Sequence, residues 1–218
     1  MIADNSIISI WKPKDVRSTQ VVNLIKPKYN LKTGHAGTLD PFAEGVLLIC
    51  TGSKTKEVPE IHKLNKSYVA KIKLGERTDT LDVDGEIIQT QKVPNLSKAE
   101  VVQVLKSFEG TILQRPPSFS AIRKNNVRLY ELARKDIHIH VKPKKIKIKK
   151  ITLISISKDI LEIKVSCSTG TYIRSLARDL GNSLKTCAYL KSLTRIEIGD
   201  FNYKNSLSLE SVKNDNVQ

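Results

Sequence analysis

One stretch limits what this chain can fold into more than any other: Gly34-His35-Ala36-Gly37-Thr38-Leu39-Asp40-Pro41-Phe42-Ala43-Glu44-Gly45-Val46-Leu47-Leu48-Ile49-Cys50. Its glycines let the backbone approach a neighbour closely or take positive φ. Pro41 drives Asp40 toward extended geometry and has no N–H to donate. Residues 46–50 are uninterruptedly apolar, the pattern of a buried strand. The stretch therefore reads as a loop that presents one imidazole and one carboxylate, anchored by a core strand. Binding and catalytic groups concentrate on loops held this way. Taken alone, an Asp-Pro turn and a lone histidine are ordinary structural material.

What such a loop serves is narrowed by charge. The 218 residues suffice for one sizeable core or two small ones, and Lys and Arg total 37 against 22 Asp and Glu. The resulting net charge of +15 favours a polyanionic partner, nucleic acid before membrane, because no basic amphipathic helix rich in Trp and Phe is visible. Cys50, Cys167 and Cys187 are odd in number and form no Cys-x-x-Cys, which points to a reducing compartment and away from zinc. No basic-then-apolar leader opens the chain and no run approaches the ~20 apolar residues of a membrane span. The expectation is a cytoplasmic protein without a membrane segment.

In order along the chain, residues 6–11 predict a short strand. Ser18 is placed to cap a helix bearing Val21, Leu24 and Ile25, and Pro27 to end it. Residues 54–64 predict a helix that Pro59 disturbs. From Tyr68, the alternation of Tyr68, Ala70, Ile72 and Leu74 with Lys71 and Lys73 predicts a strand with Tyr68 facing inward. Thr80-Leu81-Asp82-Val83-Asp84-Gly85 has the outline of a calcium loop but the wrong first and last ligands, so it reads as an acidic turn. Ser97-Lys98-Ala99-Glu100 is a capping box ahead of Val101, Val104, Leu105 and Phe108. His138 and His140 lack a third ligand for a metal. Residues 142–150 predict a strand with one lysine face, either a guarded sheet edge or a phosphate-contacting surface. Leu161, Ile163, Val165 and Cys167 predict a half-buried strand after a turn at Lys158-Asp159. Ile173, Leu176, Ala177, Leu180 and Leu184 then share one helical face. Arg174 borders that face, where a surface arginine is the ordinary expectation, and Leu193 reads as a core leucine.

The central loop resembles the catalytic loop of the TruB-type tRNA pseudouridine synthases, G-H-x-G-T-L-D-P-x-A-x-G-V-L. Three further segments match that family in order. Lys66, Tyr68, Leu74, Gly75, Thr78, Asp79, Thr80, Asp82 and Gly85 follow K-x-Y…L-G-x-x-T-D-T-x-D-x-x-G. Gln114-Arg115-Pro116-Pro117-Ser118-Phe119-Ser120-Ala121-Ile122-Arg123, continued by Tyr130, Glu131, Ala133 and Arg134, follows Q-x-P-P-x-x-S-A-x-K and Y-E-x-A-R. Cys167-Ser168-Thr169-Gly170-Thr171-Tyr172-Ile173-Arg174 follows C-S-x-G-T-Y-I-R. The opening departs from the family's K-P-x-G-x-T-S, with Asp15 and Arg17 in place of Gly and Thr.

The resemblance implies an isomerase that converts uridine to pseudouridine in the T-arm of tRNA, at position 55, without cofactor or metal. It implies that Asp40 is the catalytic carboxylate, as nucleophile or as base at the sugar. Arg174 would pair with Asp40, and Tyr68 would stack on the base and help move the C5 proton. His35 would fill the space of the flipped uridine. Tyr172 would contact substrate and Leu193 would form an apolar wall. The implied fold is α+β, a mixed, mainly antiparallel sheet flanked by helices with a central active-site cleft. The expected organisation is a catalytic domain over residues 1–201 and a short polar tail over 202–218, with no PUA module, acting as a monomer on a tRNA T-arm stem-loop. The alternative is a non-catalytic RNA-binding or tRNA-folding protein, which would need the basic surface but not Asp40, Tyr68 and Arg174 together.

Overall fold

The computed structural model describes residues 2–120, 122–124, 127–133, 135, 137 and 141–215. Arg134, His138 and His140 lie outside the described residues. In chain order the strands and helices are β1 (Ile7–Lys12), α1 (Ser18–Lys28), β2 (Thr33–Ala36), β3 (Glu44–Thr51), α2 (Val58–Lys63), β4 (Lys66–Leu74), β5 (Glu76–Thr78), β6 (Ile87–Thr90), α3 (Lys98–Ser107), β7 (Gly110–Gln114), β8 (Arg123–Lys124), β9 (Val127–Arg128), α4 (Leu129–Ala133), β10 (Lys144–Ser157), β11 (Ile160–Cys167), α5 (Ile173–Ser183), β12 (Ala188–Ile198), β13 (Phe201–Asn202), β14 (Leu207–Ser208) and α6 (Leu209–Asn214). They fall into two compact units, Met1–Val69 with Leu193–Gln218, and Ala70–Ser192; β4 and β12 contribute residues to both. Antiparallel pairings predominate, while β14 with β1 and β12 with β3 are parallel.

The first unit is built on β3. One edge of β3 pairs with β1 from Gly45 to Cys50. The other edge is shared: β2 takes residues 48–51, and β12 takes Glu44 and Gly45 through Thr194 and Arg195. Both faces of β3 are covered. Leu47 and Ile49 pack with Ile10, Val21, Ile25, Leu209 and Val212, and Val46, Leu48 and Cys50 with Ala36, Ile61 and Ile198. Two-sided burial is why residues 46–50 are continuously apolar rather than alternating.

Three helix boundaries differ from the sequence expectation. Pro27 lies inside the last turn of α1, which runs to Lys28. The 54–64 segment is a 3-10 turn, Gly52–Glu57, followed by α2, with Pro59 in the first turn of α2, where its missing N–H costs nothing. Ser18 is the first helical residue and not the cap, which frees its hydroxyl for the loop described below. The segment after residue 201 is structured: β14 pairs with β1, and α6 buries Leu209 and Val212 in the first unit's core. Its weak helical periodicity reflects a helix of only 6 residues.

In the second unit the strands run β4, β11, β10, β7 in order, with α3 packed on β10. The capping box is present: Ser97 Oγ accepts from the Glu100 N–H, and the Ser97 N–H donates to the Glu100 carboxylate at 2.8 Å. β7 pairs with residues 144–148 of β10 and β11 with residues 148–157, so most of β10 is paired along one side. Val212→Ala is expected to lower stability by about 1–2 kcal/mol in urea unfolding, the value of two buried methyl groups; an unchanged midpoint would show that α6 contributes nothing to the fold.

Candidate active site

The loop between β2 and β3 carries Asp40, and its backbone is held on both sides of that residue. Ser18 Oγ accepts from the Leu39 N–H at 3.0 Å and lies 3.1 Å from the Leu39 carbonyl, to which it donates. The Asp15 N–H donates to the Pro41 carbonyl at 2.8 Å, and Ala43 N–H to the Asp40 carbonyl at 3.1 Å. Leu39, Phe42 and Ala43 are buried, whereas the Asp40 side chain is half-exposed.

Two buried cations complete this frame. Lys12, with 0% of its surface exposed, donates from Nζ to the carbonyls of Pro13 (2.7 Å), Val16 (2.6 Å) and Pro41 (3.2 Å). Arg195, 1% exposed, donates to the carbonyls of Val46 (2.7 Å), Thr38 (3.4 Å) and Gly37 (2.8 Å). Arg195 approaches so closely because Gly45 has φ 120° and no side chain; a Cβ there would lie 2.2 Å from the Arg195 carbonyl oxygen. Burial, and secondarily Arg195, push the Lys12 ammonium down to about 8, opposed by the charges of Asp15, Asp40 and Glu44. Asp15 sits at φ 61°, so the turn after β1 is made by an aspartate in the left-handed region.

His35, on β2, is half-buried and its basicity is lowered by burial, then by His62 and Arg195. Its Nδ1 has no hydrogen-bond partner among the described residues. Tyr68 on β4 faces inward and is buried, as is Leu193 on β12. These residues and Asp40 belong to the first unit; Tyr172 and Arg174 belong to the second.

Arg174 is not a surface arginine: only 7% of it is exposed. From the first turn of α5 its Nη1 lies 3.1 Å from Asp82 Oδ2 and donates to the Thr80 carbonyl at 3.2 Å, while Nη2 donates to the Phe119 carbonyl at 2.9 Å. Asp82 is itself buried and accepts from Thr80 Oγ1 at 2.6 Å and the Asp84 N–H at 3.1 Å. Tyr172 precedes the helix, and the Gln114 amide grips its backbone, accepting from its N–H at 2.9 Å and donating to its carbonyl at 3.1 Å. The 80–85 segment is an acidic turn whose Thr80 and Asp82 also anchor Arg174.

Sequence reasoning missed Lys12, Arg195 and Asp82. Arg195 had a signal, since it stands two residues from Leu193 on an alternating strand and so shares its inward face. Lys12 and Asp82 had a signal only as motif positions, and their local sequence did not mark either as buried.

The same blocks appear in known proteins. A model of the TruB family pseudouridylate synthase N-terminal domain matches residues 23–173. The tRNA pseudouridine synthase B of Clostridium tetani is 43% identical over 98% of this chain and 74% of its own length. That of Endomicrobium trichonymphae is 41% identical over 93% of this chain and 89% of its own. Among solved structures, a Cbf5-Nop10-Gar1 complex matches with a TM-score of 0.75 and 28% identity over 99% of this chain, and an H/ACA RNP bound to a substrate RNA containing 2'-deoxyuridine with 0.71 and 27% over 95%. The chain spans 57% and 52% of those two chains. By class, then, the fold is that of a pseudouridylate synthase. Within that class the chain belongs to the TruB family.

The buried lysine makes a testable pH dependence. Between about 8 and the ordinary 10.5, the unfolded chain binds more protons at Lys12 than the folded chain does. The stability that Lys12 contributes therefore rises with pH across that window. The stability difference between the wild type and Lys12→Met is expected to move in the wild type's favour as pH increases through it, measured by urea unfolding. A constant difference would show that the amine is not desolvated.

Proposed function

We propose that this chain isomerises uridine to pseudouridine in tRNA, with the uridine at position 55 of the T-arm as its target. The observation that carries the proposal is the presentation of Asp40: a half-exposed carboxylate on a loop whose neighbouring carbonyls are each held by Lys12, Ser18 or Arg195. Such fixation is what a group acting at one atom of a bound nucleotide requires.

The reaction breaks the N1–C1′ bond, turns the base and joins C5 to C1′; the C5 proton is lost and N1 regains one. The change is redox-neutral. Asp40 acts at the ribose, as nucleophile or as base, and must be ionised to do either. Arg174 supplies the planar cation that pairs with the catalytic carboxylate, and Asp82 holds its guanidinium. Tyr68 stacks on the base and assists removal of the C5 proton. The target uridine leaves its stack to react, and His35, uncharged at neutral pH, occupies the space it vacates. Tyr172 and Leu193 line the substrate's path. The protein works as a cytoplasmic monomer without a metal.

Tritium release from C5-labelled uridine in tRNA tests this. The wild type is expected to release tritium in the presence of chelator, and an isolated T-arm stem-loop to suffice as substrate. Asp40→Asn is expected to lower release at least about 10³-fold while tRNA still binds. Near-wild-type turnover would remove Asp40 from the chemistry. Arg174→Lys keeps the charge but not the fork, and its single-turnover rate is expected to fall tenfold or more, ~1.4 kcal/mol of barrier. An unaltered rate would place Arg174 outside the site.

A further inference from the structure

One face of the second unit's sheet is cationic. Along β10 and β11, Ile146, Ile148, Ile151, Leu161, Ile163 and Val165 point into the core. The alternate positions carry Lys145, Lys147 and Lys164, all exposed. Strand register sets Lys145 beside Leu113, Lys147 beside Thr111, Lys150 beside Ser166 and Lys164 beside Thr152. The pairing passes from Ile148↔Cys167 to Lys150↔Ser166, so Lys149 is the extra residue of a bulge, and both Lys149 and Lys150 are exposed.

These five lysines form no ion pair among the described residues. The carboxylate on their face, Glu162, lies 3.8 Å from the Lys71 ammonium and accepts from Ser155 Oγ at 3.1 Å. Lysines often protect sheet edges, but Lys164 lies on β11, which stands between β4 and β10 in the sheet. Like charges two residues apart on one strand face, ~6.7 Å along the strand, repel one another. The pattern therefore opposes folding slightly and is relieved by an external polyanion. Around the lysines the face carries no aromatic side chain: beside them stand Thr111, Leu113, Thr152, Ser155, Glu162 and Ser166. Without aromatics it offers no platform for stacking unpaired bases. It suits a partner whose charge is carried outward and whose bases are hidden.

We propose that Lys145, Lys147, Lys149, Lys150 and Lys164 form a docking surface for the phosphate backbone of double-stranded RNA. The contact is independent of sequence. It extends the tRNA proposal above and is tested apart from it. The probe is a fully paired RNA hairpin with no unpaired uridine, bound by the full chain. In K145Q/K147Q/K150Q/K164Q, with folding verified by thermal unfolding, affinity at low salt is expected to drop more than about tenfold. The slope of log affinity against log salt is expected to fall by about 3 to 4, near one per lysine removed. The corresponding quadruple arginine variant is expected to retain both. Unchanged affinity and slope in the glutamine variant would overturn the proposal. So would unchanged duplex binding accompanied by lost binding to phosphatidylserine vesicles. Tritium release is measured in parallel: an inactive wild type with lysine-dependent duplex binding refutes the isomerase and leaves the surface, and the reverse pattern refutes the surface and leaves the isomerase.

Discussion

The loop around Asp40 depends on two cations buried against backbone carbonyls. Removing a charge from water costs several kcal/mol unless other dipoles replace the solvent. Lys12 and Arg195 each meet three carbonyl oxygens within hydrogen-bond distance, and these replace it. Reciprocally, loop carbonyls that could not all find N–H partners in so irregular a segment are satisfied. The two cations differ in what they can do. The lysine responds to burial by becoming less basic, while the arginine's planar fork serves several carbonyls from one fixed plane. Asp15 and Glu44 stand with Asp40 among the charges that favour the Lys12 ammonium. Asp15 accepts a left-handed backbone and adds a compensating charge beside the lysine.

The divided edge of β3 makes this arrangement possible. β2 ends where β12 begins to pair, so the chain between β2 and β3 must leave the sheet at that point. Arg195 reaches the loop because it lies on β12 at that junction, and Gly45 allows the approach. A rigid, two-sided core strand thus positions an irregular loop to within hydrogen-bond tolerance.

The second unit treats its arginine differently. Arg174 is matched by a carboxylate, Asp82, and by two carbonyls, Thr80 and Phe119. It emerges from a helix whose start is fixed by the Gln114 amide acting as a backbone surrogate. Its planar, five-donor fork can serve several acceptors at once, as a lysine ammonium cannot do in a fixed plane.

Much of this was legible in the order of residues. The strand alternations, the apolar run of β3, the Ser97 capping box and the helical face of α5 follow from local periodicity, which needs no knowledge of distant chain. The Asp40, Tyr68 and Arg174 blocks were legible as motifs, because site chemistry restricts residue types over short spans. Other features were decided only in three dimensions. Ser18 looks like a helix cap and is a loop hydrogen-bonder, because Leu39, far along the chain, comes to it. Lys12 and Arg195 look like surface charge and are buried, since the carbonyls that stabilise them come from the 37–46 loop as well as from their own neighbourhood. The polar segment after residue 201 becomes a strand and a helix because β1 offers it an edge and the first unit's core offers Val212 a place. Sequence alone determined the periodic elements, whose causes are local. Tertiary structure decided which polar groups are buried, because desolvation and its compensation depend on partners that only folding brings near.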